Sequence, residues 1–110
     1  MEKIVKQSLL YDFYGDLLNE HQRQVYEDAV FNDMSITEIS QNYGITRQAA
    51  HDLIKRCDRI LAGYEEKLNL LDKFGIIKDC IRQIDDLADT DKCVNGEKIH
   101  RLTDKIREVM

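Results

Sequence analysis

The sequence predicts an all-α protein: a small helical bundle with one long helix and a C-terminal helical arm. Proline is absent from the 110 residues and glycine occurs only five times, so few positions interrupt a helix. Glutamate, lysine, leucine, isoleucine and aspartate dominate the composition, as is typical of mostly helical proteins. Successive segments repeat apolar residues at intervals of three and four, as one helix face does. This length holds one domain, or a compact module with an appended arm.

Two helices are predicted at the N-terminus. The first spans residues 3–14 and ends at Gly15 and Asp16, where the apolar pattern breaks. Its predicted core contacts are Ile4, Val5, Leu9, Leu10 and Phe13. Asn19 is a good N-cap for the second helix, and Gln22 stands three residues later as its reciprocal partner in a capping box. The two helices supply part of one small core.

Residues 35–59 have the pattern of two helices around a single glycine. Ser35 and Glu38 stand three residues apart, which is the spacing of a capping box at the start of a helix. Gly44 is expected to end that helix, since glycine takes a positive φ without steric cost. The segment therefore predicts a helix-turn-helix.

The second helix of this hairpin carries the candidate binding residues. Thr46 is its expected N-cap, and Ile45 folds back as the apolar plug of the turn. Its inward stripe is predicted to comprise Ala50, Leu53, Ile54 and Cys57. Its outward face carries the candidate DNA contacts Thr46, Arg47, Gln48, His51, Lys55, Arg56 and Arg59, with Asp52 among them. Such a face fits a major groove and reaches phosphate oxygens and base edges, so duplex DNA is the predicted partner.

A purely structural interpretation stays open beside this one. Any αα-hairpin with a glycine corner produces part of the pattern, and a basic stripe can be a solvated helix face. The chain also carries a formal net charge of -5, whereas most duplex binders are basic because neutralising phosphates supplies much of their affinity. We therefore expect weak DNA binding by one copy, or binding that needs two copies or a second protein.

The apolar pattern continues beyond the hairpin and predicts a single long recognition helix over 46–73, about 40 Å in length. Two further helical stripes follow in residues 76–88 and 99–109. We divide the chain into an N-terminal bundle, 1–61, and a C-terminal extension, 62–110. The extension either folds back on the long helix or pairs with a second copy, and a homodimer is the expected state.

Chemistry at a catalytic or metal site is not expected. The cysteines Cys57, Cys80 and Cys93 lie far apart without a C-x-x-C pair, which indicates reduced thiols, and Cys93 falls in a predicted loop. An acidic run precedes the Asn95-Gly96 turn, but its spacing does not match a calcium loop. The run comprises Asp85, Asp86, Asp89 and Asp91. No nucleophile and base stand at a suggestive spacing, so we expect no cofactor and no enzymatic activity.

A cytoplasmic location is predicted from what the N-terminal region and the rest of the chain lack. Apolar residues near the N-terminus are soon interrupted by Asp12 and Asp16, and no small-residue cleavage site follows, so no signal peptide is expected. No segment approaches the roughly 20 apolar residues of a membrane span.

Three segments, 18–25, 35–40 and 43–50, resemble region 4 of bacterial sigma factors in sequence and in order. In that family the second hairpin helix reads the promoter −35 element. The resemblance implies base or phosphate contacts by Arg47, Gln48, His51 and Lys55. Sigma factors usually begin the preceding helix with proline, where this chain has Asn19, and they carry a separate promoter-melting region that has no counterpart here. A protein that binds the promoter element but lacks this region could not initiate transcription alone.

Over its whole length the chain is similar to the YlxM family of small bacterial helix-turn-helix proteins, most specifically in residues 1–30 and 45–68. That family is linked to the signal recognition particle because its genes tend to neighbour those of the particle's GTPase and receptor. The resemblance implies a regulatory or accessory role in protein targeting. It leaves two functions open: a DNA-binding regulator, or an accessory factor that binds the particle RNA or its GTPase.

Overall fold

The computed structural model describes residues 2–90 and 96–110 of the chain. Within these ranges the regular structure is helical and no strand occurs, which confirms the all-α prediction. The helices are α1 Lys3–Tyr14, α2 Glu20–Val30, α3 Ile36–Tyr43, α4 Arg47–Leu68, α5 Leu70–Thr90 and α6 Gly96–Val109, with a 3-10 turn at Gly15–Leu17. The loop predicted around Asp91, Cys93 and Asn95 lies outside the described residues.

The chain divides into two compact units, Met1–Leu68 and Asn69–Met110. We call the first the helix-turn-helix unit and the second the C-terminal hairpin. The single helix predicted over 46–73 is wrong, because α4 ends at Leu68 and Asn69 takes a left-handed φ of 58°. Asparagine tolerates that conformation better than most residues and often ends a helix this way. The recognition helix is therefore about 33 Å long.

The helix-turn-helix unit is built around α4, which packs against α1, α2 and α3. Its buried apolar residues are Leu10, Tyr14, Leu18, Val25, Tyr26, Ile39, Ala50, Cys57 and Leu61. The prediction that Ile4 and Val5 belong to this core is wrong, because they remain 53% and 45% exposed. They lie in the first turn of α1, and the side chains of this helix become partly buried only from Gln7 onward.

Hydrogen bonds from side chains of α1 and α2 hold α4 against these helices. The Tyr26 hydroxyl donates to Asp58 Oδ1 at 2.6 Å, and Gln7 Nε2 donates to the same oxygen at 2.9 Å. Burial and the bond to Asp58 both raise the pKa of Tyr26, so its hydroxyl stays a donor at neutral pH. The Tyr14 hydroxyl donates to Glu65 at 2.6 Å one turn from the end of α4. These bonds set the rotation of α4 and thus which side chains point away from the bundle.

The C-terminal hairpin consists of α5 and α6, which pack against each other. Cys80 is its buried residue, and the apolar stripe of α6 is half-buried. That stripe comprises Ile99, Leu102, Ile106 and Val109. On α5, Ile76 and Ile81 are 37% and 48% exposed. None of the helices in the described residues combines the length and apolar character that a membrane span requires.

Candidate nucleic-acid interface

Both ends of α3 have the hydrogen bonds that the sequence predicts. Ser35 Oγ accepts from the Glu38 amide at 3.1 Å, and the Glu38 carboxylate accepts from the Ser35 amide at 3.2 Å. Gly44 has a φ of 65°, and its N–H donates to the Ser40 carbonyl, which also accepts from Ile45 at 3.0 Å. The capping box and the left-handed glycine are therefore confirmed. The left-handed glycine redirects the chain, and α4 starts at Arg47, one residue after Thr46.

The inner side of α4 holds the helix against α2 and α3. Thr46 Oγ1 accepts from the Ala49 amide at 3.0 Å, which confirms the predicted N-cap. Val25, Ile39 and Ala50 are fully buried at the centre of the hairpin core. The partly buried residues packed on them are Ala29, Met34, Ile36, Tyr43, Ile45, Leu53 and Ile54. The predicted inward stripe and the plug residue thus lie where the sequence placed them, and the opposite side of α4 is left to solvent.

That opposite side of α4 is a continuous polar face. The seven residues predicted to bind are all exposed: Thr46, Arg47, Gln48, His51, Lys55, Arg56 and Arg59. Since a helix turns about 100° per residue, Gln48, Lys55 and Arg59 lie near the middle of this face. Arg47 and His51 border it on one side, and Arg56 borders it on the other. A helix with one exposed polar side of this kind can enter a groove without disturbing the core behind it.

Asp52 lies in the middle of the same face, and the sequence interpretation gave it no role. Its Oδ1 atom accepts from Gln48 Nε2 at 2.9 Å, and His51 Nδ1 lies 3.8 Å from the same oxygen. The sequence contains a signal for this contact, since a glutamine and an aspartate four residues apart on a helix are neighbours and can form a hydrogen bond. The carboxylate places a negative charge among cations, so it opposes phosphate binding and supplies an acceptor for a base.

A groove of about 630 Å³ adjoins this face, between the start of α2 and the outer side of α4. Asn19, His21, Arg56 and Arg59 are among the residues that line it. The capping box of α2 is formed, with Asn19 Oδ1 accepting from the Gln22 amide at 2.8 Å, as predicted. His21 belongs to none of the motifs identified in the sequence. The fold brings it beside two arginines that lie more than 30 residues away, so no local spacing could have indicated it.

The cysteines of the described residues are structural. Cys57 is fully buried, and burial raises the pKa of its thiol to about 11, with the nearby Asp58 charge adding to the rise. The group is therefore a protonated, apolar thiol at neutral pH. Among residues 2–90 and 96–110, no three histidine, cysteine or acidic side chains converge as metal ligands do.

The bundle, the glycine turn and the exposed polar side of α4 define a helix-turn-helix protein. Comparison of the sequence with protein-family profiles agrees with this class: the profile UPF0122, described as "Putative helix-turn-helix protein, YlxM / p13 like", matches residues 1–104. The chain belongs to this family, whose description is that of a helix-turn-helix protein and not of an enzyme.

Similar proteins come from several bacteria. A UPF0122 protein of Clostridium kluyveri is 37% identical over 107 residues, which cover 97% of this chain and 94% of the relative. A UPF0122 protein of Shouchella clausii is 33% identical over 109 residues, which cover 99% and 98%. One of Clostridium botulinum is 51% identical over 73 residues, which cover 66% and 67%. The alignments with the first two relatives span nearly the whole chain and therefore include both units.

Proposed function

We propose that this protein is a cytoplasmic DNA-binding regulator that inserts α4 into the major groove. The observation that carries the proposal is the exposed polar side of α4, presented by the glycine turn and held by the hairpin core. Residues 47–59 of this helix are about 20 Å long, enough to lie along a groove about 12 Å wide. Side chains near the start of a recognition helix usually meet base edges. Arg47 and Gln48 are therefore assigned to bases, and Arg56 and Arg59 to phosphates.

Electrostatics supports weak binding by a single copy. The net charge is -5 and Asp52 lies inside the polar face, so one chain neutralises few phosphates. We expect the affinity to fall steeply with salt and to depend on two copies bound side by side.

The second copy is proposed to dock on α5. Apolar residues cover more of α5 than its contact with α6 uses, since Cys80 is buried, whereas Ile77 is half-buried and Ile81, its neighbour on the same side of the helix, is exposed. Lys78 and Asp85 flank this surface one heptad apart. Antiparallel pairing of two α5 helices would therefore bring the lysine of each against the aspartate of the other.

Light scattering tests the dimer. The intact protein should give a mass near twice the 12.9 kDa of one chain, and Ile81→Asp should shift it toward one chain. Gln83→Asp adds the same charge on another side of α5 and should leave the mass unchanged. A single-chain mass for the unaltered protein at all concentrations would contradict the dimer.

A second candidate function is that of an accessory factor in protein targeting, which binds the signal recognition particle RNA or its GTPase. The acidic balance of the chain favours the GTPase as partner, because an acidic protein gains less from the phosphates of a nucleic acid than from a protein surface. Under this alternative the polar side of α4 is a contact surface for the particle and not a reader of bases.

Fluorescence anisotropy at low salt separates the two candidates. The labelled probes are DNA from upstream of the protein's own operon, a random duplex and the particle RNA. If the protein is a regulator, the operon DNA should bind best, and Arg47→Ala should weaken binding at least about fivefold, since charged base contacts are worth about 1–3 kcal/mol. Arg101→Ala, an equal charge change on α6, is the matched control. Preference for the RNA, or a salt-insensitive complex with the GTPase that survives Arg47→Ala, would overturn the regulator.

A further inference from the structure

Gln48 and Asp52 form one unit on the polar side of α4, and we propose that Asp52 is a positioning residue that sets Gln48 to read adenine. The proposal rests on the proposed DNA binding. It adds to it a base preference at one position and a role for the only carboxylate among residues 46–56 of the recognition helix.

The carboxylate decides which way the glutamine amide faces. An ionised carboxylate only accepts hydrogen bonds, so the group that faces Asp52 Oδ1 at 2.9 Å has to be the Gln48 nitrogen. The usual ambiguity between the oxygen and nitrogen of an amide is thereby removed. The contact also spans one helical turn, so it forms without strain between residues four apart.

The remaining atoms of Gln48 determine what it can read. When Asp52 takes the N–H of Nε2 that points away from Oε1, the Oε1 acceptor and the second N–H remain side by side on the amide. In the major groove adenine offers the complementary pair, its N6 donor and its N7 acceptor. Guanine offers two acceptors, N7 and O6, so the Gln48 oxygen would face an acceptor there. The pair therefore favours adenine over guanine.

The position on the helix suits this task. Gln48 and Asp52 lie in the first two turns of α4, near the middle of its exposed side, where helix-turn-helix proteins contact base edges. A free glutamine side chain loses rotamer freedom when it binds a base. Asp52 already restricts the Gln48 side chain in the free protein, so less rotamer entropy is lost when the base is bound.

Selection of bound duplexes from a random library, with the full-length protein, tests the proposal. The unaltered protein should enrich one position for adenine by about fivefold to 100-fold, the worth of a good bidentate contact. Gln48→Ala should lose the enrichment. Asp52→Ala should also lose it, although removing a negative charge raises overall affinity. Asp52→Asn removes the same charge but keeps an acceptor oxygen, so it should keep the adenine preference.

The outcomes separate this inference from the proposed function. Adenine enrichment that survives Asp52→Ala overturns the positioning role while DNA binding stands. The same holds if the unaltered protein enriches guanine, and not adenine, at the position whose preference disappears in Gln48→Ala. Loss of the preference in Asp52→Asn as well as in Asp52→Ala would assign the effect to charge and also overturn it. Failure to enrich any duplex overturns DNA binding and the inference together.

Discussion

Replacing Gly44 with alanine should destabilise the helix-turn-helix unit by about 1–2 kcal/mol. Gly44 has a φ of 65°, a conformation in which the Cβ of an L-residue crowds its own backbone. An alanine Cβ at this position would meet no other atom within 4 Å. The cost is therefore backbone strain alone, without a steric clash. Gly44→Asn should cost less, because asparagine tolerates the left-handed region.

Gly63 provides the matched control for this change. It lies within α4, and a Cβ added there also meets nothing within 4 Å, but its φ is not positive. Gly63→Ala should therefore stabilise the unit by about 0.5–1 kcal/mol, because alanine loses less backbone freedom in a helix. One chemical change is thus expected to have opposite signs at two positions of the same unit.

Urea unfolding followed by tyrosine fluorescence measures both effects. The five tyrosines all lie in residues 1–68, so the signal reports the helix-turn-helix unit and not the C-terminal hairpin. The midpoint should fall for Gly44→Ala and rise for Gly63→Ala at unchanged slope. A Gly44→Ala variant as stable as the unaltered protein would refute the assignment of strain to the turn, as would equal signs for the two variants.

Three further predictions follow from the core, the polar side of α4 and the buried thiol. Ile39→Ala should lower the free energy of unfolding by about 2–5 kcal/mol in the same assay, because Ile39 is fully buried; a loss below that range would contradict its central packing. Asp52→Asn should raise affinity for unrelated duplex several-fold in low-salt anisotropy, and a gain that persists in high salt would exclude charge as its cause. The free energy of unfolding should fall as pH rises from about 9 to about 11, because the unfolded Cys57 thiol ionises at its ordinary pKa of 9.0 and the folded one only at about 11. Pulse-labelling of thiols from pH 9 to pH 11 checks this fall in stability, and a native Cys57 thiol that reacts at pH 8 would contradict its burial and its raised pKa.

The helix starts and the turn could be predicted because their signals are local. Asn19, Ser35 and Thr46 each bond an amide three residues away, and Gly44 meets a conformational need of its own backbone. Such features depend on neighbours in sequence, so residue type and spacing suffice. The inward stripe of α4 followed in the same way from helical period.

The errors have two causes: a local tendency of one residue that periodicity does not contain, and contacts between residues distant in sequence. The apolar spacing runs through Asn69 unchanged, so periodicity alone predicted a helix to 73 and the tendency of asparagine to end helices was overlooked. Periodicity also marks the apolar side of α1 without showing how far its partner helices reach, hence the wrong assignment of Ile4 and Val5. His21 joins the groove only through the packing of α2 on α4.

The bonds and buried side chains that hold α4 against the bundle involve Ala50, Cys57 and Asp58, whereas its outward residues other than the N-cap Thr46 are exposed. Under the proposed function, stability and recognition therefore depend on separate sets of residues within one helix. Substitution of a few outward residues can change what the helix binds at little cost to folding. The bundle is thus a scaffold on which new binding preferences can evolve, or be engineered, by changing one exposed side chain at a time.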